Sequence, residues 1–346
     1  MAFKACRVFN DAGTVTSRLV AMDVDDLCPG EVLIRTAWSG LNYKDALALT
    51  GRGKILKRFP LNAGIDVAGT VESSSDPGLA PGTQVLVNGM GLGETQDGGL
   101  AEYVRVPATW VVPRPSGLSA FEAMVLGTAG FTAALALHRM EQLGQRPDHG
   151  PVVVTGASGG VGSIAVSILA AKGYRTIAVS GRRQHHAYLT SLGATETATS
   201  DDLALGSRPL ESGRFGGAID NVGGSLLAGL LRHVGLWGNV ASIGNAGGPS
   251  FDATVFPFIL RGVSLLGISS ANCPMPLRTS VWQRLGADLK PAHLADIGHR
   301  VIGLDEVIAE AVPLLDRERH GRIVVRIGKE AQKRTVTPPE NSNCLE

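Results

Sequence analysis

Short runs of β-branched and apolar residues, separated by turn residues, make up the first third of the chain. Gly, Pro, Asp and Ser lie between the runs, as is typical of strands joined by tight turns. This part of the chain, up to about Val112, is therefore predicted to be mostly antiparallel β structure. The clearest strand candidates are residues 31–36, 68–71, 84–87 and 101–106.

Beyond Pro113 and Pro115 the apolar residues follow the period of a helix, and strands then alternate with helices. Ser119 is in position to cap the first of these helices. Strands separated by helices along the chain are typical of a parallel sheet with helices on both faces. Helices are predicted at 121–140, 162–173 and 301–315, and strands at 151–155, 175–180, 217–220, 238–243, 263–268 and 321–327.

These elements predict an α/β fold made of two domains. Residues 1–123, completed by 294–328, are expected to form the mostly β domain. Residues 124–293 are expected to form a doubly wound parallel sheet of the Rossmann type. Residues 329–346 are mostly polar, contain Pro338 and Pro339, and are predicted to be a disordered tail.

Composition narrows the class of function. The formal net charge is +1 and there is no long run of Lys or Arg, so neither a nucleic acid nor an anionic membrane is expected as a partner. No basic stretch is followed by an apolar run at the start, and no apolar segment is long enough to cross a bilayer. We therefore expect a cytoplasmic protein whose partner is a small molecule.

Cysteine and histidine positions do not indicate a metal site. The cysteines are far apart, form no CxxC pair and lack the spacing of zinc ligands. They are expected to be buried or incidental thiols, and the adjacent His185 and His186 are expected at the surface. The cysteines are Cys6, Cys28, Cys273 and Cys344.

The strongest motif is the segment Thr155-Gly-Ala-Ser-Gly-Gly-Val-Gly162, between a predicted strand and a predicted helix. A pyrophosphate binds to exposed backbone N–H groups at such a helix N-terminus. Ala157 takes the first glycine position of the dinucleotide fingerprint, Gly159 leaves room for the phosphates, and Gly162 lets the helix pack on the strand. A glycine-rich turn without a ligand is the alternative. Cofactor contacts are predicted for Thr155, Ser158, Gly159, Gly160 and Val161.

The residues after the following strand indicate which dinucleotide binds. An NAD-specific site usually has an Asp or Glu here, whereas this chain has Ser180, Gly181, Arg182 and Arg183. A hydroxyl and two guanidinium groups suit the 2′-phosphate of NADPH, which a carboxylate would repel. NADPH is therefore the predicted cofactor. The alternative is that both arginines are solvated at the start of a helix.

A polar cluster, Asn42-Tyr43-Lys44-Asp45, follows the predicted strand at 31–36. Its side chains can donate protons or hydrogen bonds, as a catalytic loop requires. A loop without any catalytic role has a similar composition, so spacing alone leaves both interpretations open.

Several segments, taken in order along the chain, resemble one family. The chain resembles the zinc-free quinone oxidoreductase branch of the medium-chain dehydrogenase/reductase superfamily, and most closely its acrylyl-CoA reductase-type subgroup. The resemblance implies a GroES-like catalytic domain, a Rossmann domain, a cofactor cleft between them and a homodimer. The matching segments are Leu41-Asn-Tyr-Lys-Asp-Ala46, Gly64-Ile-Asp-Val-Ala-Gly-Thr-Val71, Gly98-Gly-Leu-Ala-Glu102, Gly127-Thr-Ala-Gly-Phe-Thr-Ala133, the glycine-rich turn and Pro257-Phe-Ile-Leu-Arg261.

The resemblance also implies roles for individual residues. In this subgroup the tyrosine that matches Tyr43 lies beside the nicotinamide, so Tyr43 is expected to donate a hydrogen bond or the proton, or only to position the cofactor. Asn42, Lys44 and Asp45 are expected to order its loop, with Asn42 and Asp45 counted among the catalytic residues. The nicotinamide end of the cofactor is expected to contact Asn245, Ile259 and Ser270.

Zinc-dependent relatives have a Cys and a Gly-His-Glu segment as ligands, where this chain has Gly64-Ile65-Asp66. Reduction of a conjugated C=C bond suits a site without zinc, because the activating carbonyl belongs to the substrate. The expected reaction is NADPH-dependent reduction of a short 2-enoyl-CoA, acryloyl-CoA to propanoyl-CoA. A basic loop such as the one containing Arg52 and Lys54 is usually only solvated, and contact of these two residues with the phosphates of coenzyme A is the alternative proposed here. The alternative functions are a quinone or enone reductase and an NADPH-binding protein without turnover.

Overall fold

The computed structural model of the protein describes residues 1–328. The strands are β1 (Ala2–Asp11), β2 (Thr14–Asp23), β3 (Val32–Leu41), β4 (Leu61–Asn62), β5 (Asp66–Ser74), β6 (Gln84–Asn88), β7 (Tyr103–Val106), β8 (Val112–Pro113), β9 (Val152–Thr155), β10 (Thr176–Val179), β11 (Glu196–Ala198), β12 (Phe215–Asp220), β13 (Val234–Ser242), β14 (Ser264–Gly267), β15 (Arg300–Gly303) and β16 (Ile323–Arg326). The helices are α1 (Tyr43–Thr50), α2 (Ala120–Gln142), α3 (Gly160–Ala171), α4 (His186–Ser191), α5 (Gly224–His233), α6 (Phe256–Arg261), α7 (Met275–Leu285), α8 (Leu294–Ile297) and α9 (Val307–Leu315).

The first part of the chain forms a sheet that is completed by β15 and β16. In the order β15-β16-β3-β5-β6-β8 the neighbours are antiparallel, apart from the parallel pair β15 and β16, and β7 also pairs with β3. A smaller antiparallel sheet has the order β2-β1-β4. Because β16 pairs with β3, Ile323 lies opposite Leu41. Leu41 directly precedes the polar cluster Asn42-Tyr43-Lys44-Asp45, which we refer to as the Asn42 motif.

The middle of the chain forms a sheet of six parallel strands in the order β11-β10-β9-β12-β13-β14. Alternate residues of a strand face opposite sides of a sheet. In β9, Val152 and Val154 therefore pack with α2 and α3, whereas Val153 packs with α5. Both faces are covered by helices, so the predicted doubly wound α/β architecture with a mostly β partner is confirmed.

Helix α2 contacts both large sheets and is interrupted at one glycine. Ser119 caps its start by accepting a hydrogen bond from the backbone N–H of Glu122, as predicted. Gly127 has φ 48° and ψ −151°, which lies outside the helical region. Contrary to the expectation from the sequence, this helix is long and apolar enough to cross a membrane, but 83% of its most apolar stretch is buried among the other elements. Its apolar surface is therefore used in the core of the fold.

The prediction of a helix over 301–315 is wrong in its first part. β15 occupies residues 300–303 and pairs with β16, and α9 begins only at Val307. Val301 and Ile302 are β-branched, and such side chains lose less rotamer freedom in a strand than in a helix. Helical periodicity in the second half of the segment concealed this strand.

His185 is not at the surface, so that prediction is wrong. It is only 8% exposed, and its ring centroid lies 5.1 Å from that of His320. The ring of His299 stacks on His320 at a centroid distance of 4.7 Å. We refer to His185, His299 and His320 as the histidine cluster.

The cysteines within residues 1–328 are free and buried, as predicted. These are Cys6, Cys28 and Cys273. Cys344 and the predicted tail at 329–346 lie outside the described residues.

Candidate active site

The glycine-rich turn presents backbone N–H groups at the start of α3. Gly159 precedes the helix and has no side chain to cap it. A Cβ at Gly159 would meet its nearest atom, the carbonyl oxygen of Gly156, only at 3.4 Å, whereas a Cβ at Gly162 would lie 2.4 Å from the same oxygen. The turn therefore has room at Gly159 and is tightly packed at Gly162. This geometry fits the pyrophosphate of a dinucleotide.

The end of β10 lies beside this turn. The hydroxyl oxygens of Ser158 and Ser180 are 3.2 Å apart, so two predicted contact residues from separate strand ends come together. A Cβ at Gly181 would meet no atom within 4 Å. Space therefore remains next to Ser180 for a group attached to the ribose.

Arg182 is exposed and contacts the turn that follows α9. Its Nη1 donates to the carbonyl oxygen of Arg317 at 2.6 Å, and its Nη2 donates to that of Asp316 at 3.4 Å. The carboxylate of Asp316 pairs with Arg52 at 3.2 Å. One turn thus contacts both the arginine predicted to bind the 2′-phosphate and one predicted to bind coenzyme A. Lys54 is exposed in the same basic loop as Arg52.

Thr155 and Arg183 make contacts within the protein. The hydroxyl of Thr155 donates to Asp220 Oδ1 at 2.6 Å and accepts from the backbone N–H of Asn221 at 2.9 Å. Its fully buried side chain therefore ties the end of β9 to the end of β12. Arg183 pairs with Asp202 at 2.8 Å on the surface.

The residues predicted to contact the nicotinamide end lie in three separate segments. Asn245, in the loop after β13, lines a cavity of about 370 Å³ together with Gly223. The carbonyl oxygen of Ser270, in the loop after β14, accepts a hydrogen bond from the buried Arg278 at 2.8 Å. Ile259 lies on α6 and is 68% exposed.

Tyr43 is the exposed member of the Asn42 motif that begins α1. It is 53% exposed, whereas Asn42 and Asp45 are buried at 8% and 1%. The backbone N–H of Asn42 donates to Asp45 Oδ2 at 2.8 Å, which forms one side of a capping box at the helix start. Lys44 pairs with Glu94 at 2.5 Å. The motif therefore exposes the hydroxyl of Tyr43, while the buried residues Asn42 and Asp45 form hydrogen bonds with each other at the start of α1.

A second buried carboxylate, Asp66, joins this helix start to α2. The amide nitrogen of Asn42 donates to Asp45 Oδ2 at 3.0 Å and to Asp66 Oδ2 at 2.8 Å. Asp66 Oδ1 accepts from the backbone N–H of Thr128 at 2.8 Å and from its hydroxyl at 2.6 Å. These donors are available because the helix is interrupted at Gly127 and starts again at Thr128. Asp66 therefore caps the second half of α2.

The environment of Asp45, which includes Asp66, changes its affinity for a proton. Burial, and next the charge of Asp66, raises the pKa of Asp45 to about 7. Hydrogen bonds from Asn42 and from the backbone N–H of Ile65, at 3.0 Å, act in the opposite direction. The start of α1 therefore contains a group that changes its charge close to neutral pH.

Arg322 supplies the positive charge of this buried cluster. It is 4% exposed, and its Nη1 donates to Asn42 Oδ1 at 2.8 Å. Its Nη2 lies 3.5 Å from Asp66 Oδ2. Burial lowers the pKa of Arg322, and the nearby Asp66 and Asp45 act against that shift. The cluster therefore joins two carboxylates, one amide and one guanidinium.

Comparison with known proteins identifies the family. The chain matches the family models of the alcohol dehydrogenase GroES-like domain at residues 28–116 and of the zinc-binding dehydrogenase at residues 160–286. It is 47% identical to the putative quinone oxidoreductase YhfP of Bacillus subtilis, over 94% of this chain and 99% of that protein. It is 46% identical to the probable acrylyl-CoA reductase AcuI of Escherichia coli, over 91% and 97%. The chain belongs to the medium-chain dehydrogenase/reductase superfamily.

Solved structures of related proteins have the same fold. The yhdH oxidoreductase from Salmonella enterica in complex with NADP matches with a TM-score of 0.90 and 44% identity, over 94% of this chain and 99% of that one. The yhfP protein of Bacillus subtilis with NAD bound matches with a TM-score of 0.92 and 46% identity, over 94% and 99%. The predicted combination of a GroES-like and a Rossmann-type domain is confirmed.

Zinc-dependent members of the medium-chain dehydrogenase/reductase superfamily place a Gly-His-Glu segment where this chain has Gly64-Ile65-Asp66. Here Asp66 is engaged with Asn42, Thr128 and Arg322. Within residues 1–328 no group of three or more His, Cys, Asp or Glu side chains is placed to hold a metal ion. In this chain Asp66 instead connects the start of α1 with α2.

Sequence reasoning missed Asp66, Thr128 and Arg322 as members of the site. Asp66 and Thr128 each lie inside a segment that matches the superfamily, and the missing information was that the two segments touch. Arg322 follows His320 and Gly321 in a stretch with no local motif. Its burial against Asn42 becomes visible only in three dimensions.

Proposed function

We propose that the protein reduces the carbon–carbon double bond of a short 2-enoyl-CoA with NADPH, with acryloyl-CoA to propanoyl-CoA as the expected reaction. The observation that carries the proposal is the exposed hydroxyl-bearing side chain of Tyr43, on a helix whose start is held by the buried cluster of Asn42, Asp66 and Arg322. The Escherichia coli relative, named a probable acrylyl-CoA reductase, supports this substrate class.

The glycine-rich turn fits the cofactor. The backbone N–H groups of Gly160 and Val161, at the start of α3, would bind the pyrophosphate. Ser180 and Arg182, beside the open space at Gly181, would bind the 2′-phosphate. The Salmonella enterica relative contains NADP, which supports this choice, whereas the Bacillus subtilis relative contains NAD. Selectivity is therefore measured against NADH.

The protein's own part in the reaction is to orient the substrate and to handle charge and protons. When bound, NADPH supplies a hydride for the β-carbon of the enoyl thioester. Negative charge then develops on the thioester oxygen and the α-carbon, and Tyr43 would donate a hydrogen bond to that oxygen or a proton to that carbon. Asn42 and Asp45 would act indirectly, by fixing the start of α1.

A quinone or enone reductase is the second candidate, because the Bacillus subtilis relative is named a putative quinone oxidoreductase. A protein that binds NADPH without turnover is the third. Relative rates separate the three candidates, since only the first predicts a preference for a CoA thioester over a simple quinone.

The first experiment measures NADPH oxidation by the purified protein with acryloyl-CoA, crotonoyl-CoA and a simple quinone, with NADH in place of NADPH as the control. We expect fast turnover of acryloyl-CoA that is selective for NADPH. Activity with the quinone alone would favour the second candidate. NADPH binding without reduction of any acceptor would favour the third.

Tyr43→Phe tests the role of the hydroxyl. If Tyr43 donates the proton, kcat should fall by roughly 10²- to 10⁴-fold, the usual contribution of a general acid. The Kd for NADPH should stay nearly the same, because the variant retains the ring that is proposed to lie beside the cofactor. A variant with unchanged kcat would restrict Tyr43 to positioning the cofactor.

Arg52→Glu/Lys54→Glu tests recognition of coenzyme A. Reversing these charges should raise KM for acryloyl-CoA several-fold without affecting KM for a quinone, since only the thioester carries phosphates. Arg175→Glu, an exposed position just before β10, is the matched control. Equal effects on both substrates would refute the role of the basic loop.

A further inference from the structure

Arg322 is a fully enclosed arginine that joins segments far apart in the sequence. It follows Gly321 at the end of the turn between α9 and β16. Its Nε donates to the carbonyl oxygen of Val125 at 3.0 Å, and its Nη1 donates to Asn42 Oδ1 at 2.8 Å. Nη2 has no hydrogen-bond partner of its own and faces Asp66 Oδ2 at 3.5 Å. The guanidinium thus contacts α2, the start of α1 and the start of β5.

The stem of the same side chain lies against the glycine-rich turn. A Cβ at Gly160 would come within 2.9 Å of Arg322 Cδ, so the absence of a side chain there makes room for the arginine. The backbone N–H of Gly321 donates to the carbonyl oxygen of Ser158 at 2.9 Å. Residues 321 and 322 are therefore in direct contact with the turn that is proposed to bind the pyrophosphate.

Space around the guanidinium is also kept free by glycine. A Cβ at Gly40 would lie 2.5 Å from Arg322 Nη2, and a Cβ at Gly127 would lie 2.9 Å from it. Gly127 adopts φ 48°, a conformation that costs other residues free energy. Three glycines from three different segments therefore surround one side chain.

A buried ion pair is a poor way to gain stability, because the desolvation of the two charges offsets most of their attraction. A planar guanidinium with several fixed donors is instead well suited to hold neighbouring groups at defined positions. We propose that Arg322 is a positioning residue that sets the helix bearing Tyr43 relative to the glycine-rich turn. This inference rests on the proposed function, in which Tyr43 acts on a substrate next to the bound nicotinamide.

Lysine in place of arginine separates position from charge. A lysine keeps the positive charge near Asp66 but has a single nitrogen, which cannot reach both Val125 and Asn42 in the arrangement of the guanidinium. In Arg322→Lys the start of α1 should therefore lose its fixed position while the cluster remains neutralised. A displacement of about 1 Å in a catalytic group costs roughly 100-fold in rate.

The test is a double-mutant cycle of Arg322→Lys and Tyr43→Phe. We expect Arg322→Lys to lower kcat by about 10- to 100-fold with little change in the Kd for NADPH. In the Tyr43→Phe background the same substitution should cause little further loss, because both act through one hydroxyl. Multiplicative losses, or a kcat for Arg322→Lys equal to that of the wild type, would overturn the proposal.

Arg261→Lys is the matched control for the loss of a guanidinium that donates several hydrogen bonds at once. Arg261 donates to the carbonyl oxygens of Arg232 and Val234, at 3.1 Å and 2.9 Å, and so ties α6 to the parallel sheet. Both lysine variants should lower Tm, but only Arg322→Lys should lower kcat. Equal loss of kcat in both variants would mean that Arg322 has only a structural role.

A readout without turnover keeps this test separate from the substrate assignment. Amide hydrogen exchange of residues 42–50 should be faster in Arg322→Lys than in Arg261→Lys, with NADPH present, while exchange in β9 stays the same. If acryloyl-CoA is not reduced, the kinetic cycle is repeated with an acceptor that the protein does reduce. If the protein reduces none of the acceptors, the hydrogen-exchange measurement alone decides. Unchanged exchange at 42–50 would overturn the positioning role, whatever the substrate.

Discussion

At the scale of single residues, the glycines around the proposed cofactor site differ in what a side chain would meet. A Cβ at Gly162 would lie 2.4 Å from the carbonyl oxygen of Gly156 and 2.6 Å from Cα of Ala157. Both are backbone atoms that cannot rotate away. A Cβ at Gly181 would meet nothing within 4 Å. Packing therefore requires glycine at position 162 but not at position 181.

Gly162→Ala should destabilise the protein by at least about 1–3 kcal/mol, the usual cost of overpacking, because α3 has to move away from the turn. NADPH affinity should fall for the same reason. Gly181→Ala, the matched control, should change stability by less than about 0.5 kcal/mol. Urea unfolding of both variants and NADPH titration of Gly162→Ala test this, and equal stabilities of the two variants would contradict the packing argument.

The glycine-rich turn could be predicted because its residues are contiguous and lie between a strand and a helix. The contacts of Arg322 could not, because Asn42 is 280 residues away. Asp66 and Thr128 are 62 residues apart and meet only through the interruption of α2. Local sequence patterns identify residues that contact a ligand more readily than they identify the distant residues that position those ligand-contacting residues.

At the scale of elements, the histidine cluster joins the parallel-sheet part of the molecule to the returning segment. His185 ends the 3-10 helix before α4, and His299 and His320 precede β15 and β16. The ring of Tyr188, on α4, also contacts the ring of His320, with a centroid distance of 4.7 Å. Burial, and then neighbouring positive groups, lowers the pKa of His185 and of His320. The neighbours are Arg182 and His186 for His185, and His299 and His185 for His320.

These lowered pKa values make stability depend on pH. A histidine whose pKa is lower in the folded state binds fewer protons there than when unfolded, so it supports folding above its ordinary pKa of about 6.5. That support is lost as the pH falls below this value. His320→Gln should therefore lose less stability than the wild type between about pH 7.5 and pH 5.

Thermal unfolding at a series of pH values tests this prediction. His293→Gln is the control, because His293 is partly exposed and contacts Asp296 instead of the histidine cluster. It should follow the wild-type pH dependence. Parallel curves for the wild type and His320→Gln would show that protonation of the cluster is not linked to folding.

Long elements with a uniform pattern could be predicted closely, and interruptions could not. The helix expected at 121–140 corresponds to α2 at Ala120–Gln142. Its interruption at Gly127 has no sequence signal, because glycine is also tolerated within helices. A Cβ there would lie 2.5 Å from Asp66 Oδ2, so the cause is a contact with a distant carboxylate.

At the scale of the whole molecule, one surface is strongly apolar. It consists of α6, the segment before it and the start of β13, close to β14, the strand that ends the parallel sheet. An open strand edge beside an apolar patch favours pairing with another chain. The large hydrophobic residues in this surface, each at least 42% exposed, are Leu236, Trp237, Val255, Phe256, Ile259 and Leu260.

We predict that this surface joins two copies of the chain in a homodimer. Leu260→Asp should yield monomers, because a carboxylate would be buried in an apolar interface. Leu143→Asp, at a residue that is 51% exposed at the end of α2, should leave the dimer intact. Light scattering of both variants distinguishes the two species, and a monomeric wild type would contradict the prediction.

Strand β16 determines the order in which the two domains can be completed. β3 belongs to the first part of the chain, yet its neighbour β16 leaves the ribosome only after every strand of the parallel sheet. The strands of the parallel sheet, from Val152 to Gly267, have all emerged by then. A nascent chain can therefore finish its nucleotide-binding half first, since domains generally fold as units during synthesis. Tyr43 is synthesised early, but Arg322 can position the helix that bears it only after residue 322 has been synthesised.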